Sequence, residues 1–151
     1  MQREEILDFC GKWLPAWHGD RPGELVEFYS DDALYIDPAN KKGLRGRDKI
    51  LPYFKKLLAT NPNWKWEPVE VFPTELGFVV KWKAIIPVGA EVITEYGMDI
   101  VEIERGRIRR NEVYFDSSSL LGASKRLKSQ PSNDRSSPHD CKAANDATTR
   151  S

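Results

Sequence analysis

The sequence is poor in the residues that metal, redox and disulfide chemistry use. Its 151 residues include two cysteines, two histidines and two methionines. Cys10 falls in a helical pattern and Cys141 near the C-terminus, so no disulfide framework is expected and a reducing compartment fits best. His18 and His139 are isolated from each other and from any Cys/His cluster, which argues against a metal site. Gly43 and Gly46 lack the strand–loop–helix spacing of a phosphate loop. Ser117-Ser-Ser119 has no histidine base within reach by sequence, which argues against a serine nucleophile. No apolar run could span a bilayer, and MQREEILDF carries acids where a signal peptide needs a basic start. The expectation is a cytoplasmic protein with no cofactor and no membrane partner.

Net charge is also absent, and the zero hides two parts. Residues 1–123 hold 17 Lys/Arg against 20 Asp/Glu, and residues 124–151 hold 6 against 3. Neither part resembles a polyanion-binding surface. Trp64-Lys65-Trp66 and Lys81-Trp82-Lys83 interleave aromatics with bases, but strand alternation sends the two types to opposite faces. No nucleic-acid partner is expected. Lys41, Lys42, Arg45, Arg47 and Lys49 form a basic loop, either solvated or rimming a pocket. All the aromatic residues lie at or before Phe115, and the rest of the chain is mostly polar. Residues 1–122 therefore read as one folding unit, and 123–151 as a disordered polar tail.

Helical spacing of Ile6, Phe9, Cys10, Trp13 and Trp17 predicts a helix over 2–17, which Pro15 should kink or shorten. A second short helix is expected through Leu25, Val26, Phe28 and Tyr29. Ala33–Asp37 reads as a strand, Ala39–Gly46 as a loop and Arg47–Thr60 as a third helix, with Pro52 awkwardly inside it. Four strand signals follow, at 64–72, 78–86, 91–104 and 107–116, separated by turn-like TELG, PVGA and RG. Helices followed by hairpin-linked strands argue for an α+β fold, with helices on one face of an antiparallel sheet.

Two acids stand out in this frame. Tyr35 and Asp37 share one strand face, and Asp99 shares a face with Gly97, Val101 and Ile103. An acid on a buried face must be neutralised, paired, or kept for chemistry. On the residues alone two readings stand: Asp37 caps a strand end and Asp99 pairs with a base, or both point into a pocket.

The run FYSDDALYIDP, then GLRGRDKILPYF, then MDIVEIERGRIRRNEVYFD resembles the nuclear transport factor 2-like superfamily, in its SnoaL-like and ketosteroid isomerase-like branch. The resemblance covers about 7–121. It implies a cone-shaped curved antiparallel sheet wrapped around N-terminal helices, an apolar pocket and often a homodimer. It also implies a cofactor-independent isomerase or cyclase acting by carboxylate proton transfer on a small apolar carbonyl compound, steroid, polyketide-like or terpenoid-like. Asp37, directly before Pro38, matches the general base of ketosteroid isomerases, and Asp99 matches their protonated oxyanion-hole acid. The helix position of their tyrosine holds Trp13, which points away from strict steroid isomerisation. Trp13, Trp17, Tyr35, Val80, Trp82, Val113 and Phe115 would line the pocket. Two alternatives accompany this reading. One is a non-catalytic binding or dimeric interaction module. The other is a limonene-type epoxide hydrolase using Asp99, Asp116 and Tyr35, although its arginine position holds Gly97.

Overall fold

The computed structural model describes residues 1–129; Cys141, His139 and most of the expected tail lie outside them. Helix α1 spans Arg3–Trp13 and buries Ile6, Cys10 and Trp13. Its first turn is closed by the Gln2 amide donating to Glu5 Oε2 at 2.7 Å. Pro15 has no N–H to continue the ladder, and the chain tightens into a 3₁₀ turn over Leu14–Trp17. That turn carries Trp17 against Phe54, ring centroids 4.9 Å apart.

Helix α2 is short, Pro22–Val26, so Phe28 and Tyr29 leave the expected second helix. Tyr29 instead begins strand β1, Tyr29–Asp37. Strand β2, Asn40–Arg45, forms where a loop was expected. Helix α3 spans Arg47–Thr60 and buries Ile50, Phe54 and Leu58, with Pro52 accommodated inside. Strands β3 (Lys65–Pro73), β4 (Gly77–Val88), β5 (Glu91–Glu104) and β6 (Arg107–Phe115) follow. Helix α4, Ser118–Ser129, closes the described chain. It crosses the boundary expected at residue 123, and Ala123 is buried there.

The six strands form one curved sheet in the order β2-β1-β6-β5-β4-β3, with helices packed on it, in the expected α+β cone. The expectation of a wholly antiparallel sheet fails at one pair, because β1 runs parallel to β6. Alternation sorts β4 as the sequence suggested. Phe78, Val80, Trp82, Ala84 and Ile86 are buried, and Lys81 and Lys83 are less so on the opposite face. The β4–β5 ladder sets Val80 opposite Asp99 and Trp82 opposite Gly97. The β5–β6 ladder sets Asp99 opposite Val113. A β-carbon at Gly97 would collide with the Trp82 ring, so the missing side chain is what lets that indole lie flat against β5.

Candidate active site

A cavity of about 330 Å³ opens between the inner face of the sheet, the 3₁₀ turn, α3 and the start of α4. Trp17, Tyr35, Trp82, Val113 and Phe115 line it, as do Asp37 and Asp99. The two acids therefore share one cavity, and among the described residues neither bonds a basic side chain.

Asp37 ends β1 at the hairpin into β2. Its Oδ1 accepts from the amides of Ala39 at 3.0 Å and Asn40 at 2.8 Å, and from Asn40 Nδ2 at 3.0 Å. Its Oδ2 accepts from the Tyr35 hydroxyl at 3.1 Å and the Tyr53 hydroxyl at 2.5 Å. One oxygen thus ties down the turn and the other holds two phenols at the cavity wall. Five donors occupy the lone pairs of this carboxylate.

Asp99 is built differently. Trp82 donates its indole N–H to Oδ1 at 2.8 Å, and Asn111 Nδ2 donates to Oδ2 at 2.9 Å. Asn111 is held in turn by the Tyr29 hydroxyl, which donates to its Oδ1 at 2.8 Å. Each oxygen of Asp99 receives one bond, so a proton or a ligand group can still be accommodated. Burial pushes its carboxyl up to about 6; the Asn111 and Trp82 bonds pull down, and the charge of Asp37 adds a smaller upward push. Beneath it, burial and then the Asp99 charge push the Cys10 thiol up to about 12, leaving it an inert core residue.

Two expected lining residues lie elsewhere. Trp13 is fully buried behind the cavity, its ring 6.0 Å from Phe9 and 6.4 Å from Phe78. Val80 is fully buried opposite Asp99 in the β4–β5 ladder and does not line the cavity. In compensation the site holds Tyr53, Leu57, Trp64 and Trp66, which the sequence reading left out. Trp66 and Trp82 meet edge to face at 4.7 Å, forming one wall. A phenol does reach the Asp99 network, but from β1 through Tyr29 and Asn111, not from the first helix.

The basic loop contributes no lining residue; Arg47 instead donates to the Tyr29 carbonyl through Nε at 2.9 Å. The epoxide hydrolase arrangement is not assembled. Asp116 is exposed, caps α4 through the Ser118 amide at 2.9 Å, and does not line the cavity. Among the described residues no three His, Cys, Asp or Glu side chains gather as a metal set, and no helix is long and apolar enough to cross a membrane.

Residues 11–111 match the family model of the SnoaL-like domain. The chain belongs to the SnoaL-like family. No curated protein sequence matches it. Solved structures share the SnoaL-like fold at low identity. A hypothetical protein from Catenulispora acidiphila with a ketosteroid isomerase-like fold, in complex with trimethylamine, is 18% identical, with a TM-score of 0.69 over 82% of this chain and 98% of that one. TerC, co-crystallised with polyporic acid, is 12% identical, with a TM-score of 0.66 over 80% and 98%. A SnoaL-like protein from Burkholderia thailandensis is 13% identical, with a TM-score of 0.65 over 77% and 98%.

Proposed function

We propose that this SnoaL-like protein is a cofactor-independent enzyme that moves a proton on a small apolar carbonyl compound, of the isomerase or cyclase type. The observation that carries the reading is a pair of unlike carboxylates in one aromatic cavity. Asp99 has free lone pairs and a carboxyl raised to about 6, near the range in which a general base works best. Asp37 is saturated by five donors. This geometry favours a reversal of the roles the family resemblance implies. Asp99 is the proton-transferring group, and Asp37 is a positioning group that holds Tyr35 and Tyr53 and whose charge adds a smaller upward push on Asp99.

In the step proposed, an Asp99 oxygen takes the proton from a carbon next to the carbonyl. The C–H pair moves into the new C=C bond, and the carbonyl π pair moves onto oxygen. Tyr53 turns its hydroxyl from Asp37 to that oxygen as charge develops. In a substrate with a C=C bond one carbon further along, the oxygen pair re-forms C=O and the enolate C=C pair shifts into the next carbon–carbon bond. The original C=C pair takes the proton from Asp99 at its far carbon, completing an isomerisation into conjugation.

The test is deuterium incorporation into 2-tetralone in heavy water, followed by NMR. Catalysed exchange is expected, falling by roughly 10²- to 10⁴-fold in Asp99→Asn. Exchange that survives the substitution, or none above buffer, refutes the reading. The saturated Asp37 favours a second reading, a binder in which that acid only shapes the loop; ligand affinity without exchange would establish it. A homodimer belongs to the same proposal, with exposed Tyr96, Met98 and Tyr114 on the outer sheet face as apolar surface, and light scattering decides it.

A further inference from the structure

The cavity wall is largely apolar, and the charges on it are of one sign. Two carboxylates line it, and among the described residues no lysine, arginine or histidine does. Seven of its lining residues are aromatic. Trp64, Trp66 and Trp82 meet in successive edge-to-face contacts, with centroids 5.8 and 4.7 Å apart and planes at 64° and 87°. Such a corner turns ring faces, the negative part of the aromatic quadrupole, in more than one direction. The hydroxyl hydrogens of Tyr35 and Tyr53 point at Asp37, so their oxygens offer lone pairs to the remaining space. The Trp82 N–H is likewise committed to Asp99.

A surround of carboxylates and ring faces repels an anion and attracts a cation. The described residues supply no countercharge from the wall, so the ligand is the natural source of one. We propose that the small molecule bound here carries a tertiary or quaternary ammonium group, seated against Trp64, Trp66 and Trp82 and facing Asp99. The proposal rests on the reading of this cavity as the substrate site.

The hydrogen-bond inventory selects the kind of cation. A primary ammonium brings three N–H donors and a guanidinium five, each needing an acceptor. Asp37 has none to spare, so those N–H groups would have to share the one remaining acceptor site on each Asp99 oxygen with the phenol oxygens beside Asp37, a dispersed set that favours a cation with fewer donors. An alkylated ammonium needs one acceptor or none, and its methyl groups suit indole faces. It also answers an electrostatic problem in the proton transfer. A developing enolate has no protein cation beside it in this cavity, whereas an ammonium on the same molecule balances the charge.

The experiment compares a cation with its carbon isostere. Phenyltrimethylammonium and tert-butylbenzene, which differ only in the charged atom, are titrated into the full chain near neutral pH with tryptophan fluorescence as the readout. The cation is expected to bind about tenfold or more tightly. In Asp99→Asn the cation loses about tenfold while tert-butylbenzene, with no charge to lose, changes little. Equal or weaker binding of the cation by the unsubstituted chain overturns the inference, as does binding of neither ligand. An undiminished preference in the folded variant also overturns it. Exchange into neutral 2-tetralone without a cation preference sinks the ammonium and leaves the proton transfer standing. A cation preference without exchange supports the ammonium and sinks the proton transfer.

Discussion

Replacing Asp99 by asparagine should change how stability depends on pH, with a sign opposite to that of a salt-bridged acid. The Asp99 carboxyl moves from 3.8 to about 6 on folding, chiefly through burial. Between those values the folded chain holds a proton that the unfolded chain has released, so stability falls as pH rises through the window. Below the lower value both states are protonated and the effect vanishes. Above the upper value the buried charge carries its full cost, about 3 kcal/mol at about 1.4 kcal/mol per pKa unit. The variant has no such group. Its stability relative to the unsubstituted chain should therefore rise by about 3 kcal/mol between about pH 4 and about pH 7. A constant offset is also expected. The new amide must bond Trp82 and Asn111, and the Asn111–Tyr29 pair can reverse its donors to suit. Urea unfolding, read by tryptophan fluorescence at a series of pH values, measures both chains. His18, held low by burial, is present in both chains and cancels in the difference. A difference curve that stays flat from acid to neutral pH would refute the reasoning, because Asp99 would then be titrating as it does in water.

Gly97→Ala should cost about 2 kcal/mol or more, since the added methyl meets the Trp82 ring and lies 2.7 Å from the Tyr114 carbonyl. It should also slow exchange, because Trp82 is a donor to Asp99; a stable variant with full exchange would contradict the packing described. Tyr53→Phe removes one of five donors to Asp37 and should cost about 1 kcal/mol, seen in urea unfolding, while exchange falls. Unchanged exchange would remove Tyr53 from the proposed step. Phe54→Ala should cost about 3 to 5 kcal/mol, because this fully buried ring contacts Trp17, Tyr29 and Tyr35 together. A loss under about 1 kcal/mol would show that the site collapses around the gap.

Much of the framework was legible because the inner strands carry strong alternation. Phe78 to Ile86 sorts cleanly by period two, and the same logic put Asp99 on one face with Gly97, Val101 and Ile103. Strand β2 was hidden because Asn40-Lys-Lys-Gly-Leu-Arg45 is polar and owes its strand form to pairing with β1 and to the turn that Asp37 ties. The parallel β1–β6 pair was equally hidden, since alternation fixes faces and not neighbours. Trp13 and Tyr53 show the limit for helices. Periodicity gives the buried stripe of α1 but not whether a residue on it meets the cavity or the packed core behind. Tyr53 flanks the buried stripe of α3, and only the position of that helix over β1 turns its hydroxyl to Asp37. A pocket shared by Asp37 and Asp99 was one of two readings the residues left open, and only the family resemblance favoured it. Their unequal hydrogen bonding was not legible, because it depends on five donors gathered from two strands, a turn and a helix.

The central claim is that Asp99 is a buried, titratable carboxyl poised near neutrality in a cavity it shares with Asp37. The most direct measurement is a carbon-detected NMR titration of aspartate-labelled protein, with the Asp99 signal assigned by its loss in Asp99→Asn. A midpoint near 6 is expected. A midpoint near 3.9, the value of a free aspartate, would contradict it.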